Sequence, residues 1–191
     1  MANDANCFVV AEAMLGAVPA QLPSAKVVFG IIMGTGVGGG VFVNGQILNG
    51  RHGIAGEWGH NFLDPSGGAC YCGRVGCVEK ILSGTSLENF YFQQTGKKKK
   101  LKTIADERLI DPAAAQTMQR LHHFFGKAVA NVINILDPDA IVIGGGVGNI
   151  DSIYTEGVAE ASKFIFNNRL ETKIMKPALG DSAGVFGAAM L

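Results

Sequence analysis

The sequence predicts an α/β fold in which short buried strands alternate with helices. Three observations carry that expectation. Residues 27–33 (VVFGIIM) and 140–143 (AIVI) are short apolar runs rich in β-branched side chains, the pattern of strands covered on both faces. Residues 113–136 place apolar side chains at helical spacing between Asp111-Pro112 and Asp137-Pro138, one long amphipathic helix. Glycine clusters follow both strand runs directly, at positions 34–40 and 144–148, where backbone must turn or approach something closely.

Taken in order, residues 7–20 read as a helix capped by Asn3 or Asp4, with Phe8, Val9, Ala13 and Met14 on its buried face. After strand 27–33, Gly34-Thr35-Gly36-Val37-Gly38-Gly39-Gly40 reads as a glycine loop. Strand 41–43, the turn Asn44-Gly45 and a return over 46–48 then form a hairpin. Bare backbone N–H groups in such a loop suit phosphate oxygens, and Thr35 adds a hydroxyl. The loop lacks the Lys-Ser/Thr of a P-loop and the following helix of a dinucleotide fold, so alone it is a weak phosphate signal. Thr85 or Ser86 offers a capping box for a helix carrying the Phe90-Tyr91-Phe92 cluster. The basic run Lys97 to Lys100 with Lys102 reads as a solvated turn between helices. Strand 140–143 and Gly144-Gly145-Gly146 lead into a helix from about Asp151, a strand–glycine–helix turn of the kind that meets nucleotides. A strand near 172–175 and a small-residue helix to Leu191 close the chain, and His122 and His123 are assigned no chemistry.

The composition sets limits. The chain has 191 residues, enough for one domain with a substantial core. Sixteen basic and sixteen acidic residues balance, which gives no reason to expect nucleic acid or an anionic membrane as partner. No apolar run spans a bilayer and no secretory signal is recognised. Cys7 lies in an apolar run and reads as a buried thiol, in keeping with a reducing cytoplasm.

The chemistry concentrates in residues 52–80. His60, Cys70, Cys72 and Cys77 form a His followed by C-x-C-x4-C. Thiolates and imidazole are the ligands zinc prefers, and four of them close a tetrahedral structural site. The competing reading is small core residues, or a disulfide with a spare thiol. Glu57 and Glu79 flank this motif, so a metal here would fix two carboxylates beside it. The spacing accommodates equally a polar binding site and two solvated surface residues.

In order, these pieces resemble the ROK family of bacterial sugar kinases and repressors. The matching residues are Asn3-Asp4-Ala5-Asn6, Gly34 to Gly40, Gly56-Glu57-Trp58-Gly59-His60-Asn61, Cys70-Tyr71-Cys72-Gly73, Gly76-Cys77-Val78-Glu79, INILDPDAIVIGGG at 133–146 and Gly180-Asp181-Ser182-Ala183-Gly184. The resemblance covers nearly the whole chain. It implies an actin-like (ribonuclease H-like) ATPase lobe, a mixed sheet flanked by helices with a zinc-bound loop. It implies hexose phosphorylation from ATP with Mg2+, Asp4 being the general base, with Asn3, Glu57, His60 and Glu79 on the sugar's other hydroxyls. Gly34, Thr35 and Gly36 would meet ATP phosphates, and Gly144, Gly145 and Gly146 would lie near the adenosine. His60, Cys70, Cys72 and Cys77 would hold structural zinc, and the protein would be a cytoplasmic homodimer.

The signature looks most like the fructokinase and mannokinase branch, with glucokinase and N-acetylhexosamine kinase open. Family kinases begin with a lobe carrying an Asp-x-Gly-Gly-Thr phosphate loop. Residues 1–191 are therefore expected to be a single carboxyl-terminal kinase lobe, either catalytically incomplete alone or serving as a non-catalytic sugar-binding lobe. A sugar-responsive regulator is the third reading; family repressors carry a helix-turn-helix ahead of the sugar domain and often lose the catalytic aspartate.

Overall fold

The computed structural model describes residues 3–167, 169–180 and 183–191. Five strands form one mixed sheet: β1 (Val27–Met33), β2 (Val37–Val43), β3 (Gln46–Ile47), β4 (Ala140–Gly144) and β5 (Lys173–Met175), in the order β3-β2-β1-β4-β5. The β1-β2 and β2-β3 pairs are antiparallel, whereas β1-β4 and β4-β5 are parallel. Alternation along β1 sends Val28 to one face and Phe29, Ile31 and Met33 to the other, so the sheet separates two apolar layers.

One layer contains α1 (Asp4–Met14), α2 (Ala17–Gln21) and α8 (Ala183–Met190); the other contains α3 (Glu79–Leu82), α4 (Gly84–Thr95), α5 (Leu101–Asp106), α6 (Pro112–Leu136) and α7 (Glu156–Ala161). α1 lies close on the sheet because glycine faces it: a Cβ on Gly40 would stand 2.9 Å from Val9 Cγ1 and 3.0 Å from Ala5 O. That approach carries the amino end of α1 to the edge of β2.

Several sequence expectations change in detail. Asn3, rather than Asp4, caps α1, its side chain accepting from Asn6 N–H. The first helix is two helices, broken at Leu15 and Gly16, because buried Glu12 accepts N–H bonds from Ala17, Ala178 and Leu179 and takes the chain out of helical register. Met14 consequently faces solvent. The glycine loop is shorter than it reads, since Val37 to Gly40 already pair with β1 and only Gly34, Thr35 and Gly36 turn. Ser83 caps α4 through Ser86 N–H, in place of Thr85 or Ser86. In the aromatic cluster, Tyr91 is buried and Phe92 lies outside the core. Beyond β4 the chain makes two 3-10 turns, Gly146–Asn149 and Asp151–Ile153, and the helix begins only at Glu156.

Other expectations hold. Asn44 and Gly45 make the hairpin turn with φ of 49° and 85°. Asp111 caps α6 with Pro112 in its first turn. No described helix is long and apolar enough to cross a membrane. Asp181 and Ser182 of the last motif lie outside the described residues.

Candidate functional site

The site is assembled around the amino ends of α1 and α3. Asp4 is exposed in the first turn of α1, its Oδ1 accepting from Ala5 N–H at 2.9 Å. Beside it, Asn3 Nδ2 donates to Glu57 Oε1 at 3.3 Å, joining residues 54 positions apart. The Glu57 loop is held against β2 by close backbone packing. Trp58 Nε1 donates to Gly38 O at 3.3 Å and its ring meets Phe29 edge-on, while a Cβ on Gly59 would lie 2.1 Å from Val37 O. Glu79, at the start of α3, turns to the glycine turn and accepts from Val37 N–H at 3.1 Å.

Between Glu57 and Glu79 runs the cysteine loop. Cys70 N–H donates to Arg74 O and Gly73 N–H to Cys70 O, a tight reversal that Gly73 permits with φ of 84°. Leu63 N–H bonded to Gly76 O and Val78 N–H bonded to Asn61 O lay this turn beside His60. One donor atom from each of His60, Cys70, Cys72 and Cys77 then lies within 4.8 Å of the others. Cys72 Sγ is 3.6 Å from Cys77 Sγ, and Cys70 Sγ is 3.7 Å from His60 Nδ1. Tetrahedral ligands on zinc, with Zn–S of about 2.3 Å and Zn–N of about 2.0 Å, have edges of about 3.5–3.8 Å. The donor set and its spacing both fit.

Burial and the adjacent thiols push the Cys77 thiol up to about 12, while the Arg74 backbone N–H holds Cys72 below its usual range. A bound cation offsets that burial cost by stabilising thiolate. The other His60 nitrogen, Nε2, lies 2.9 Å from the Tyr71 hydroxyl. The Glu79 carboxylate, with burial and further negative groups, raises the Tyr71 phenol above its usual range.

A cavity of about 860 Å3 opens on the other side of the glycine turn. Gly34, Thr35 and Gly146 line it, so the structure brings together the two glycine clusters on adjacent strands. Gly36 faces Glu79 instead, 2.7 Å from Oε2 at its would-be Cβ. Gly144 packs on Phe8 and Gly145 on the Met33 backbone, both beside the cavity rather than in its lining.

Lys100, Lys102 and Arg108 also line this cavity, and sequence reasoning missed them. The run does form a turn between α4 and α5, but only part of it is solvated. Lys99 is tied to Glu107 and to Asp111, 3.1 Å away, which leaves Lys100 and Lys102 beside the opening. The signal available was the charge run itself, whose direction only the fold supplies.

The ROK family profile matches residues 1–191. The chain belongs to the ROK family. It is 34% identical over 200 residues to an N-acetyl-D-glucosamine kinase of Vibrio vulnificus strain YJ016, covering 99% of this chain and 65% of that protein. It matches a ROK family glucokinase from Streptomyces griseus, solved with glucose and AMPPNP, at a TM-score of 0.84 and 28% identity over 98% of this chain and 66% of that one. It also matches a ROK family transcriptional regulator, a homologue of the E. coli MLC protein, at a TM-score of 0.83 and 28% identity over 99% of this chain and 50% of that one. The chain thus spans about 65% of the length of the N-acetyl-D-glucosamine kinase from Vibrio vulnificus. Its fold is the actin-like ATPase lobe of ROK sugar kinases.

Proposed function

We propose that this ROK chain is the carboxyl-terminal lobe of an ATP-dependent hexose kinase, with residues 1–191 forming that single lobe. The observation that carries the reading is the Asn3–Glu57 contact at 3.3 Å beside the exposed carboxylate of Asp4. It supports the reading because a carboxylate that can serve as base then lies beside two polar side chains that can meet sugar hydroxyls.

Asp4 accepts the proton of the attacking hexose hydroxyl as its oxygen bonds to the γ-phosphorus and the bond to the bridging β,γ-oxygen breaks, releasing ADP. Asn3, Glu57, His60 and Glu79 orient the remaining hydroxyls. Gly34, Thr35 and Gly36 offer backbone N–H groups and a hydroxyl to the phosphates, with Gly144, Gly145 and Gly146 toward the adenosine. Magnesium on the phosphates supplies charge neutralisation when the nucleotide binds. His60, Cys70, Cys72 and Cys77 hold a structural zinc that fixes the Glu57 and Glu79 segments relative to each other.

A cytoplasmic homodimer belongs to the same reading. It is favoured by exposed Ile54, Phe62 and Ile135 around an apolar groove of about 760 Å3 between the metal loop and α6. The test is ADP release from Mg-ATP with N-acetylglucosamine, glucose, mannose and fructose, using the full-length protein. Sugar-dependent release names the hexose among the branches the signature leaves open. No release with any of them removes the kinase reading.

The similarity to a transcriptional regulator favours a second reading, a sugar-responsive regulator. Asp4, retained and accessible, weighs against it. Salt-sensitive, sequence-specific DNA binding by the full-length protein would support it.

A further inference from the structure

Tyr71 lies between Cys70 and Cys72, and the turn that gathers those thiols leaves the residue 81% exposed. The ring is nevertheless placed. Its hydroxyl is 2.9 Å from His60 Nε2, and the two rings meet edge to face with centroids 5.1 Å apart. The hydroxyl has no other hydrogen-bond partner among the described residues. His60 Nδ1 is turned toward Cys70 Sγ at 3.7 Å, inside the donor cluster. Nε2 is therefore the only nitrogen of this ring available to a ligand, and Tyr71 occupies it.

We propose that Tyr71 sets the affinity of the hexose site: its hydroxyl holds His60 Nε2 in the free protein, and a hexose binds by taking that nitrogen from it. The proposal rests on the hexose-kinase reading. The exchange is physically inexpensive, because one hydrogen bond replaces another and the outer side of the ring has solvent to swing into. Tyr71 is exposed and is not one of the four clustered donors, so a change of its side chain leaves those donors in place. The residue between the two cysteines thus tunes sugar affinity independently of the metal.

The test compares the full-length protein with Tyr71→Phe by calorimetric titration of glucose and N-acetylglucosamine, with zinc in excess and the metal content of both proteins measured. Removing the hydroxyl removes the competitor, so Tyr71→Phe binds hexose tighter by roughly two- to tenfold, the weight of one net hydrogen bond. The His60 Nε2 resonance of the sugar-free protein shifts on the same substitution. Equal affinity overturns the proposal, as does weaker binding, which would make Tyr71 a direct sugar ligand. If neither protein binds either sugar while both retain metal, the hexose-kinase reading itself fails and takes the proposal with it.

Discussion

The Glu79 carboxylate accepts the Val37 N–H at 3.1 Å, tying the end of the cysteine loop to the start of β2. This bond crosses 42 residues and joins two segments with different proposed partners, one toward sugar and one toward phosphate. Glu79→Gln keeps the shape and weakens the acceptor; Glu79→Ala leaves the amide without it. The alanine variant is expected to lose about 1 kcal/mol of stability and to raise KM for hexose and for ATP together. A rise in the hexose KM alone would show that the two segments are independent.

Gly36→Ala probes the same junction from the opposite side. Its Cβ would stand 2.7 Å from Glu79 Oε2, so the carboxylate must move. The variant is expected to reproduce the kinetic pattern of Glu79→Ala while remaining folded by circular dichroism.

Asp4→Asn is expected to lower kcat by at least about 100-fold in the full-length protein, the loss typical of a removed general base. Hexose affinity should stay within a few-fold, because the Asn3–Glu57 contact does not involve the Asp4 side chain. Unchanged turnover would dismiss Asp4 as the base.

One zinc per chain is expected by elemental analysis of protein purified without chelator. Cys77 is fully buried among thiols, so removing the cation leaves a cluster that nothing else in the loop holds together. Chelation should lower Tm and expose the loop to protease, since metal binding is coupled to folding in such sites. Metal-free protein with an unchanged melting curve would refute a structural role.

His122 gives a pH dependence. It is buried on α6, with Nε2 2.8 Å from Ser152 Oγ and Nδ1 3.0 Å from Glu156. Burial depresses its pKa below the ordinary histidine value, Arg108 adds to that, and Glu156 and Glu160 oppose it without winning. The unfolded chain therefore takes up a proton first as pH falls. Stability from this residue is complete above about 6.5, falls as pH drops through that value, and levels off below the folded pKa. Melting curves from pH 7.5 to 5.5 should show a smaller decline for His122→Asn than for the native chain.

The main elements were legible because their signals are local. Val27–Met33 and Ala140–Gly144 announce themselves by apolar, β-branched runs, α6 by its period and Asp111 cap, and the hairpin by Asn44-Gly45. The break after Met14 was not legible, because the Glu12 carboxylate that anchors it also accepts from the N–H groups of Ala178 and Leu179, more than 160 positions away. The end of the glycine loop was hidden for a related reason: Gly38 to Gly40 have poor strand propensity and pair only because β1 is beside them.

By itself the sequence offered the candidates: a His and three cysteines at metal-ligand spacing, two carboxylates beside them, and Asn3 or Asp4 as the cap of the first helix. Those follow from residue type and short spacing. Only the tertiary structure decided which of them meet. It set Asn3 on Glu57, Glu79 on Val37, Tyr71 on His60 Nε2, and Lys100 and Lys102 beside the cavity that Thr35 and Gly146 line. Each of these depends on where the sheet and its covering helices bring distant backbone together, and exposed polar side chains leave no periodic trace of their partners in the sequence.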